Sequence, residues 1–327
     1  MRSKYHILIT LAAVALTAVI MLNFTNQDGN SDEYYQKAFQ NNYQLYSPVI
    51  PEDMNFCGER VPLELYHVYE RMDRELLVNV YWQSNIMLLI KRANRYFPII
   101  EPILKEQGLP DDFKYLALAE SSFVNVTSSA GAAGFWQFIK STGLRHGLEI
   151  NNDIDERYHL EKATVAAANY LKTSYKLYNN WTLAAAAYNT GDSNIRRHIK
   201  NQGVESYYDM HLPEETMRYV FRILALKTIC ENPQEYGIIL RKKDLYPEIP
   251  VKSISVDTTI ANLFTFATQQ GVTYQQLRAL NPWMRSSTLP NKSKKKYQIS
   301  IPANSSLLRS EMVSQDEDEN ILQEIDN

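Results

Sequence analysis

Two cysteines in 327 residues leave no basis for a disulfide-stapled scaffold or a Cys-rich zinc fold. Glycine is scarce at 11 residues and proline reaches 13, so a collagen-like chain does not fit. Neither sign of charge dominates: 34 basic against 37 acidic side chains give −3. Without a strongly basic domain, no nucleic-acid partner is expected. Repeated long hydrophobic runs are missing, which excludes a multi-span membrane protein. His67, His146, His159, His198 and His211 show no paired ligand spacing, so no metal and no cofactor are expected. What remains, 45% apolar and 22% charged, is ordinary for a folded chain of about two domains.

One apolar run does stand out. Arg2 and Lys4 precede an uncharged stretch from Tyr5 to Gln27 whose apolar centre is Ile7–Leu22, sixteen residues. A charged start followed by such a run reads as an export signal or an N-terminal membrane anchor, its length falling between the two. No cysteine stands at its end for lipid attachment. An exported protein, in the periplasm or cell envelope, is expected, and any membrane contact would run through this segment alone. Export leaves two readings of Cys57 and Cys230, a pair in an oxidising compartment or two buried free thiols. At the other end, residues 304–327 carry one basic and seven acidic residues, a net −6 that reads as a solvated, disordered tail. Residues 1–303 therefore carry +3.

Between these ends the patterning changes once. Residues 28–55 are polar and read as a linker. From Glu64 the period is helical: Ile86, Leu89, Ile90 and Ala93 form one stripe. Pro98 is expected to open the next helix and Gly108 to close it. Further helices are expected at about 111–122, 134–143, 161–178, 181–189, 192–200 and 214–231, with no strand between Glu64 and Glu231. After Pro247 and Pro250, Val251–Val256 alternates like a strand. Ile260, Leu263, Phe264 and Ala267 keep helical spacing, Tyr274–Leu280 is a second short helix, and Tyr297–Ile301 a second strand. The fold class is thus mainly α, an all-helical domain followed by a small βααβ module.

The informative helix ends in Glu120. Phe113, Leu116, Ala117 and Glu120 stand at i, i+3, i+4 and i+7, so the carboxylate continues an apolar stripe. Burial there is costly unless the group is paired or faces a cleft, and it raises the pKa toward what a general acid needs. The alternative is a glutamate that snorkels out at the helix end. A small-residue turn follows, Ser128-Ser129-Ala130-Gly131-Ala132-Ala133-Gly134, running into Phe135-Trp136-Gln137-Phe138. Gly and Ala let an extended ligand approach the backbone. Phe135 and Trp136 either supply flat faces for sugar or pack into the core, and Gln137 offers a two-sided amide. Later, Ala184–Ala187 leads into Tyr188-Asn189 before the Gly191 stop.

Together these blocks resemble the lytic murein transglycosylases with a goose-lysozyme-like fold. The resemblance rests on Glu120-Ser121, Gly131–Phe138, Ala187-Tyr188-Asn189, and Leu212-Pro213-Glu214-Glu215-Thr216 with Tyr219-Val220. Their order and the fourth block point to the membrane-bound lytic murein transglycosylase D branch. The βααβ unit resembles a LysM module through Gly271-Val272-Thr273, Leu277, Leu280-Asn281-Pro282 and Ile301-Pro302. Its Asp257-Thr258-Thr259-Ile260 departs from the usual Gly-Asp-Thr start.

The resemblance implies a division into 1–27 signal or anchor, 28–63 linker or N-terminal extension, 64–245 lysozyme-like domain, 246–303 LysM-like module and 304–327 tail. It implies Glu120 as the single catalytic acid/base acting on peptidoglycan glycan strands. Ser128, Gln137, Tyr188, Asn189, Glu215 and Tyr219 match substrate-binding positions; Ser129 stands beside Ser128 as the alternative. The implied reaction cleaves the β-1,4 bond between N-acetylmuramic acid and N-acetylglucosamine and leaves a 1,6-anhydro sugar. Glycosidases usually need two carboxylates. Asp111, Asp112, Asp153 and Asp155 are the seconds on offer, the first two too far along the helix and the others in a polar loop. A single-glutamate mechanism using the substrate's own hydroxyl fits better. A hydrolysing muramidase on the same fold and a silent wall binder are the other readings.

Overall fold

The structure is a computed structural model that describes residues 31–41, 46–304 and 309–312. The apolar run at 7–22 and most of the acidic tail lie outside the described residues. Among the described residues no helix is long and apolar enough to cross a membrane.

The chain divides into two units. One holds α1 (Asp32–Asn41) with Arg241–Lys243. Within it, Arg241 donates to Asp32 Oδ1 at 2.6 Å and stacks over the Tyr35 ring at 4.2 Å.

The other unit, Pro48–Leu240 and Asp244–Ser314, carries both the helical body and the module. It opens with a hairpin, β1 (Asn55–Phe56) against β2 (Glu59–Arg60). Cys57 and Gly58 form its two-residue turn, both at positive φ (54° and 80°). That geometry matches the right-handed strand twist, and glycine supplies it without a Cβ penalty. The hairpin falls in the stretch expected to be linker, yet Met54, Phe56 and Val61 are buried in the main core. Phe56 meets Phe113 edge-on at 5.5 Å.

Helices follow at α2 (Tyr66–Tyr81), α3 (Gln83–Glu106), α4 (Phe113–Ser121), α5 (Lys140–Arg145), α6 (Leu160–Tyr178), α7 (Trp181–Thr190), α8 (Asp192–Gln202) and α9 (Glu214–Glu231). Two expectations are corrected. Pro98 does not open a helix; it lies inside α3 together with Pro102. A mid-helix proline loses one backbone bond. The buried stripe Ile86, Leu89, Ala93, Ile100 and Leu104 nevertheless runs in phase across it, so packing holds the helix. Second, residues 134–139 are not helical. Gly134 (φ +77°) and Gln137 (φ +47°) turn the chain, isolated bridges join Ala133 to Thr127 and Phe138, and α5 starts only at Lys140. No named strand occurs in 64–231.

The hairpin holds the two helices that matter most. The Glu59 carboxylate accepts from Trp181 N at 2.5 Å, Thr182 N at 2.8 Å and Thr182 Oγ1 at 2.6 Å. An anion on the free N–H groups of a helix start is favourable, so Glu59 fixes the entry of α7. Cys57 N donates to Asp112 Oδ2 at 2.6 Å, which fixes the entry of α4.

The module consists of β3 (Val251–Val256), α10 (Leu263–Gln269), α11 (Tyr274–Leu280) and β4 (Tyr297–Pro302). The strands pair antiparallel from Val251↔Pro302 to Val256↔Tyr297. Ile260 stands outside α10 and bridges Leu289 instead. Thr273 and Gln276 close a capping box at the start of α11. The module's core is Leu263, Ala267, Leu277, Met284, Leu289 and Ile299, and it continues into Ala133, Ile154 and Tyr158 of the body. A short helix, α12 (Arg309–Met312), ends the described chain.

Candidate active site

Helices α4 and α9 run in opposite directions and meet at both ends. At the α4 start, Lys227 Nζ donates to Asp112 at 2.8 Å. At the α4 end, Tyr219 Oη donates to Glu120 Oε1 at 2.5 Å. The fully buried residues of α4, Phe113, Leu116, Ala117 and Leu118, carry Glu120 to the rim of the core, where it is half-buried. The stripe at i, i+3, i+4 and i+7 therefore ends against Tyr219 at the rim of the core rather than in open solvent.

Burial pushes the Glu120 carboxyl up to about 7. The Tyr219 hydrogen bond and the Arg222 charge pull the other way, and Glu215 adds a small push upward. The Tyr219 hydroxyl contacts Oε1, and no described residue bonds Oε2. Glu215 and Arg222 form an ion pair at 3.1 Å on the exposed face of α9. Glu215 thus acts on the acid through charge alone.

Tyr188, on the last turn of α7, is pinned. Its hydroxyl donates to the Trp136 carbonyl at 2.7 Å, and its ring meets Phe138 and Tyr170 at 5.8 and 5.0 Å. Burial first, and the Glu120 charge second, raise its phenol well above the ordinary range. Asn189 Oδ1 accepts from Thr216 Oγ1 at 2.9 Å, so α7 and α9 are joined beside the acid. Thr216 was missed in the sequence; it stood in the fourth block, but a lone threonine in a helix carries no signal of its own.

The 128–138 turn is organised by the backbone. Ser128 is exposed, and its Oγ accepts from Ala132 N at 3.1 Å while Ser128 N donates to Ala132 O at 2.8 Å. Its hydroxyl closes the turn; Ser129 is exposed as well. Gln137 Nε2 donates to Gly134 O at 2.7 Å and Val126 O at 3.3 Å, so its amide nitrogen is engaged by the turn's own backbone. Of the two readings for the aromatics, the core one holds. Trp136 is fully buried with Nε1 on Thr164 Oγ1 at 2.9 Å, and Phe135 is 6% exposed. Ser121, quoted only as the neighbour of Glu120, ties this turn to α4 by donating to Phe135 O at 2.9 Å.

The structure thus brings Glu120, Tyr219 and Tyr188 together, with Asn189 and Thr216 alongside. Gln137 and Ser128 stand on the adjoining turn. None of the four aspartates weighed as a second carboxylate acts on Glu120. Asp111 pairs with Lys114, Asp112 with Lys227 and Asp155 with Arg157, and the Asp153 backbone turns on Asn151. Cys57 and Cys230 are free thiols, and burial pushes Cys230 up to about 12. In the module, the divergent Asp257–Ile260 segment lines an open groove of about 540 Å³ with Phe266 and Gln269.

A helical body with a βααβ module after it is the lysozyme-like, mainly α class of fold. Residues 97–210 match the transglycosylase SLT domain, and residues 252–305 match the soluble lytic transglycosylase C-terminal LysM-like domain. The chain is similar to membrane-bound lytic murein transglycosylase D from Escherichia coli strain K12 and from strain CFT073. Each match is 31% identical over 204 residues, covering 61% of this chain and 44% of the relative. The chain therefore spans less than half the length of these relatives.

Proposed function

We propose that the chain is a peptidoglycan lytic transglycosylase that cleaves the β-1,4 bond between N-acetylmuramic acid and N-acetylglucosamine. The observation that carries this reading is Glu120: half-buried, raised to about 7, held by Tyr219 on one oxygen and open on the other. At neutral pH a substantial share of this carboxyl is protonated and able to donate to the glycosidic oxygen. The resulting carboxylate then takes the proton of the muramic acid 6-hydroxyl, which attacks the anomeric carbon and closes the 1,6-anhydro ring. No water is consumed. Tyr219 and Arg222 stabilise the carboxylate between the two transfers. The neighbouring carboxylate, Glu215, is engaged by Arg222, so the two-carboxylate arrangement of ordinary glycosidases finds no support here.

Gln137, Tyr188 and Asn189 are assigned to holding the sugar, with Ser128 shaping the turn. The proposed bounds are 64–245 for the lysozyme-like domain and 246–303 for the module, with 48–63 joined to the former by its buried hairpin. The Arg2–Gln27 segment and the membrane-bound character of the relatives named above support a place in the cell envelope, reached by export or held by an N-terminal anchor. The deciding experiment is digestion of purified sacculi followed by mass spectrometry of the released muropeptides. Anhydro-ended fragments are expected. Reducing ends in their place would make the protein a hydrolase, and sacculus binding without release would make it a wall binder.

A further inference from the structure

Arg157 has no part in the site described above, yet it holds the turn that carries Gln137. Its guanidinium donates from one nitrogen to Gly131 O at 2.8 Å and Phe138 O at 3.0 Å, the two ends of the turn. The remaining nitrogens grip Asp155 in a two-pronged pair at 2.9 and 2.7 Å. Both side chains are 11% exposed. A planar fork can satisfy three acceptors at once in this way, and lysine cannot. The turn also lies directly on this segment: a Cβ on Gly134 would stand 1.8 Å from Arg157 O. Tyr158 adds a bond of 2.6 Å between its hydroxyl and Thr127 Oγ1.

The same short segment is gripped from the other side by the module. Asp155 N donates to Trp283 O at 2.8 Å, and Arg285 N donates to Asp153 O at 2.7 Å. Ile154 bridges Met284, His159 stacks on Trp283, and Arg285 lies over the Tyr158 ring at 4.3 Å. Ala133, inside the turn, belongs to the module's own hydrophobic core.

We propose that Arg157 is a positioning residue for the 131–138 turn and that the module, by clamping residues 153–159, sets the geometry of that turn as well as meeting the wall. The module is then a structural part of the sugar-binding side of the cleft. This rests on the transglycosylase reading for its consequence in turnover, but not for its mechanical content.

The test uses the full chain in three variants, Arg157→Ala, Arg157→Lys and Arg285→Ala, read by amide exchange and by kinetics on soluble glycan strands. In Arg157→Ala, amides 131–138 are expected to exchange at least about tenfold faster while those of α6 and α9 hold. Turnover per KM should fall roughly 10- to 100-fold, as for a small displacement of a binding group. The alkaline limb of the pH profile should stay in place, because nothing beside Glu120 has changed. Arg157→Lys should recover part of both effects, and it serves alone if the alanine variant does not fold. Arg285→Ala, an exposed change on the module side, should speed exchange in the same turn about two- to threefold. Unchanged exchange at 131–138 in the Arg157 variants, or acceleration spread evenly over the chain, overturns the proposal. Wild-type exchange in Arg285→Ala removes the Arg285–Tyr158 contact from the clamp, since that change leaves the backbone bonds to Asp153 and Asp155 in place. If wild type itself releases nothing from glycan, the functional reading fails, and the exchange arm still decides this one.

Discussion

Two buried asparagines of the module and the half-buried Glu120 of the body are polar side chains held for opposite ends. In the module, Asn281 is fully buried and Asn291 is 5% exposed. Asn281 donates to Leu277 O at 2.8 Å and Ser300 O at 2.6 Å, and accepts from Ser300 N at 2.8 Å. Asn291 donates to Lys295 O and accepts from Lys295 N. Both amides have their main capacity filled by backbone, so they fasten a helix to a strand and close a loop. In the body, Glu120 has one oxygen bonded and one open, and burial raises its carboxyl to about 7, well above the ordinary carboxylate range. A filled polar group stabilises; a half-filled one is held ready to react.

The comparison breaks most clearly at Glu120. Glu120→Gln should abolish fragment release from sacculi, a loss of at least about a thousandfold in a general-acid site, while sacculus pull-down is unchanged. Activity near wild type would place the acid elsewhere. Asn281→Ala tests the other side. It orphans the Ser300 N–H and C=O, while Leu277 O keeps its bond from the residue-281 backbone N–H, and should destabilise the module by about 3 kcal/mol, read as a lowered Tm with weakened sacculus binding.

Tyr219→Phe sharpens the picture without emptying it. The hydroxyl favours the charged form of Glu120, so its loss should raise the carboxyl further above about 7. The alkaline limb of kcat/KM should move upward, with kcat lowered about tenfold; an unmoved limb would detach Tyr219 from the acid. The raised acid also has a stability signature. The folded state binds a proton more tightly than the unfolded chain, so Glu120 lowers stability as pH rises from the ordinary carboxylate range through about 7. Glu120→Gln should therefore gain about 2–4 °C in Tm at pH 8 and little at pH 4.5. Smallest of all, Lys295→Ala removes an ion pair with Glu149 that is partly solvated. It should cost about 0.5 kcal/mol and vanish in high salt.

The helical body and the βααβ order were legible because burial imposes a period on sequence. Glu120 was found for the same reason, as a charge at a position where the stripe called for an apolar side chain. Periodicity failed at Phe135, Trp136 and Phe138, whose spacing suits a helix. What breaks the helix there is backbone torsion at Gly134 and Gln137, and only the glycine shows in sequence. Pro98 misled in the opposite direction, since the packing of Ile100 and Leu104 outweighs one missing hydrogen bond. The partners of Gln137 and Ser128 are backbone carbonyls and amides, which leave no trace in residue identity.

The paired contacts between α4 and α9 set the acid by register. Glu120 and Asp112 are matched to Tyr219 and Lys227, the same count of residues along each helix. One residue inserted between Tyr219 and Lys227 would turn the phenol about 100° away, with every side chain still present. The pairing thus fixes the length of α9 across that interval rather than the identity of its exposed residues. A single-codon insertion there is expected to be as damaging as loss of the glutamate itself.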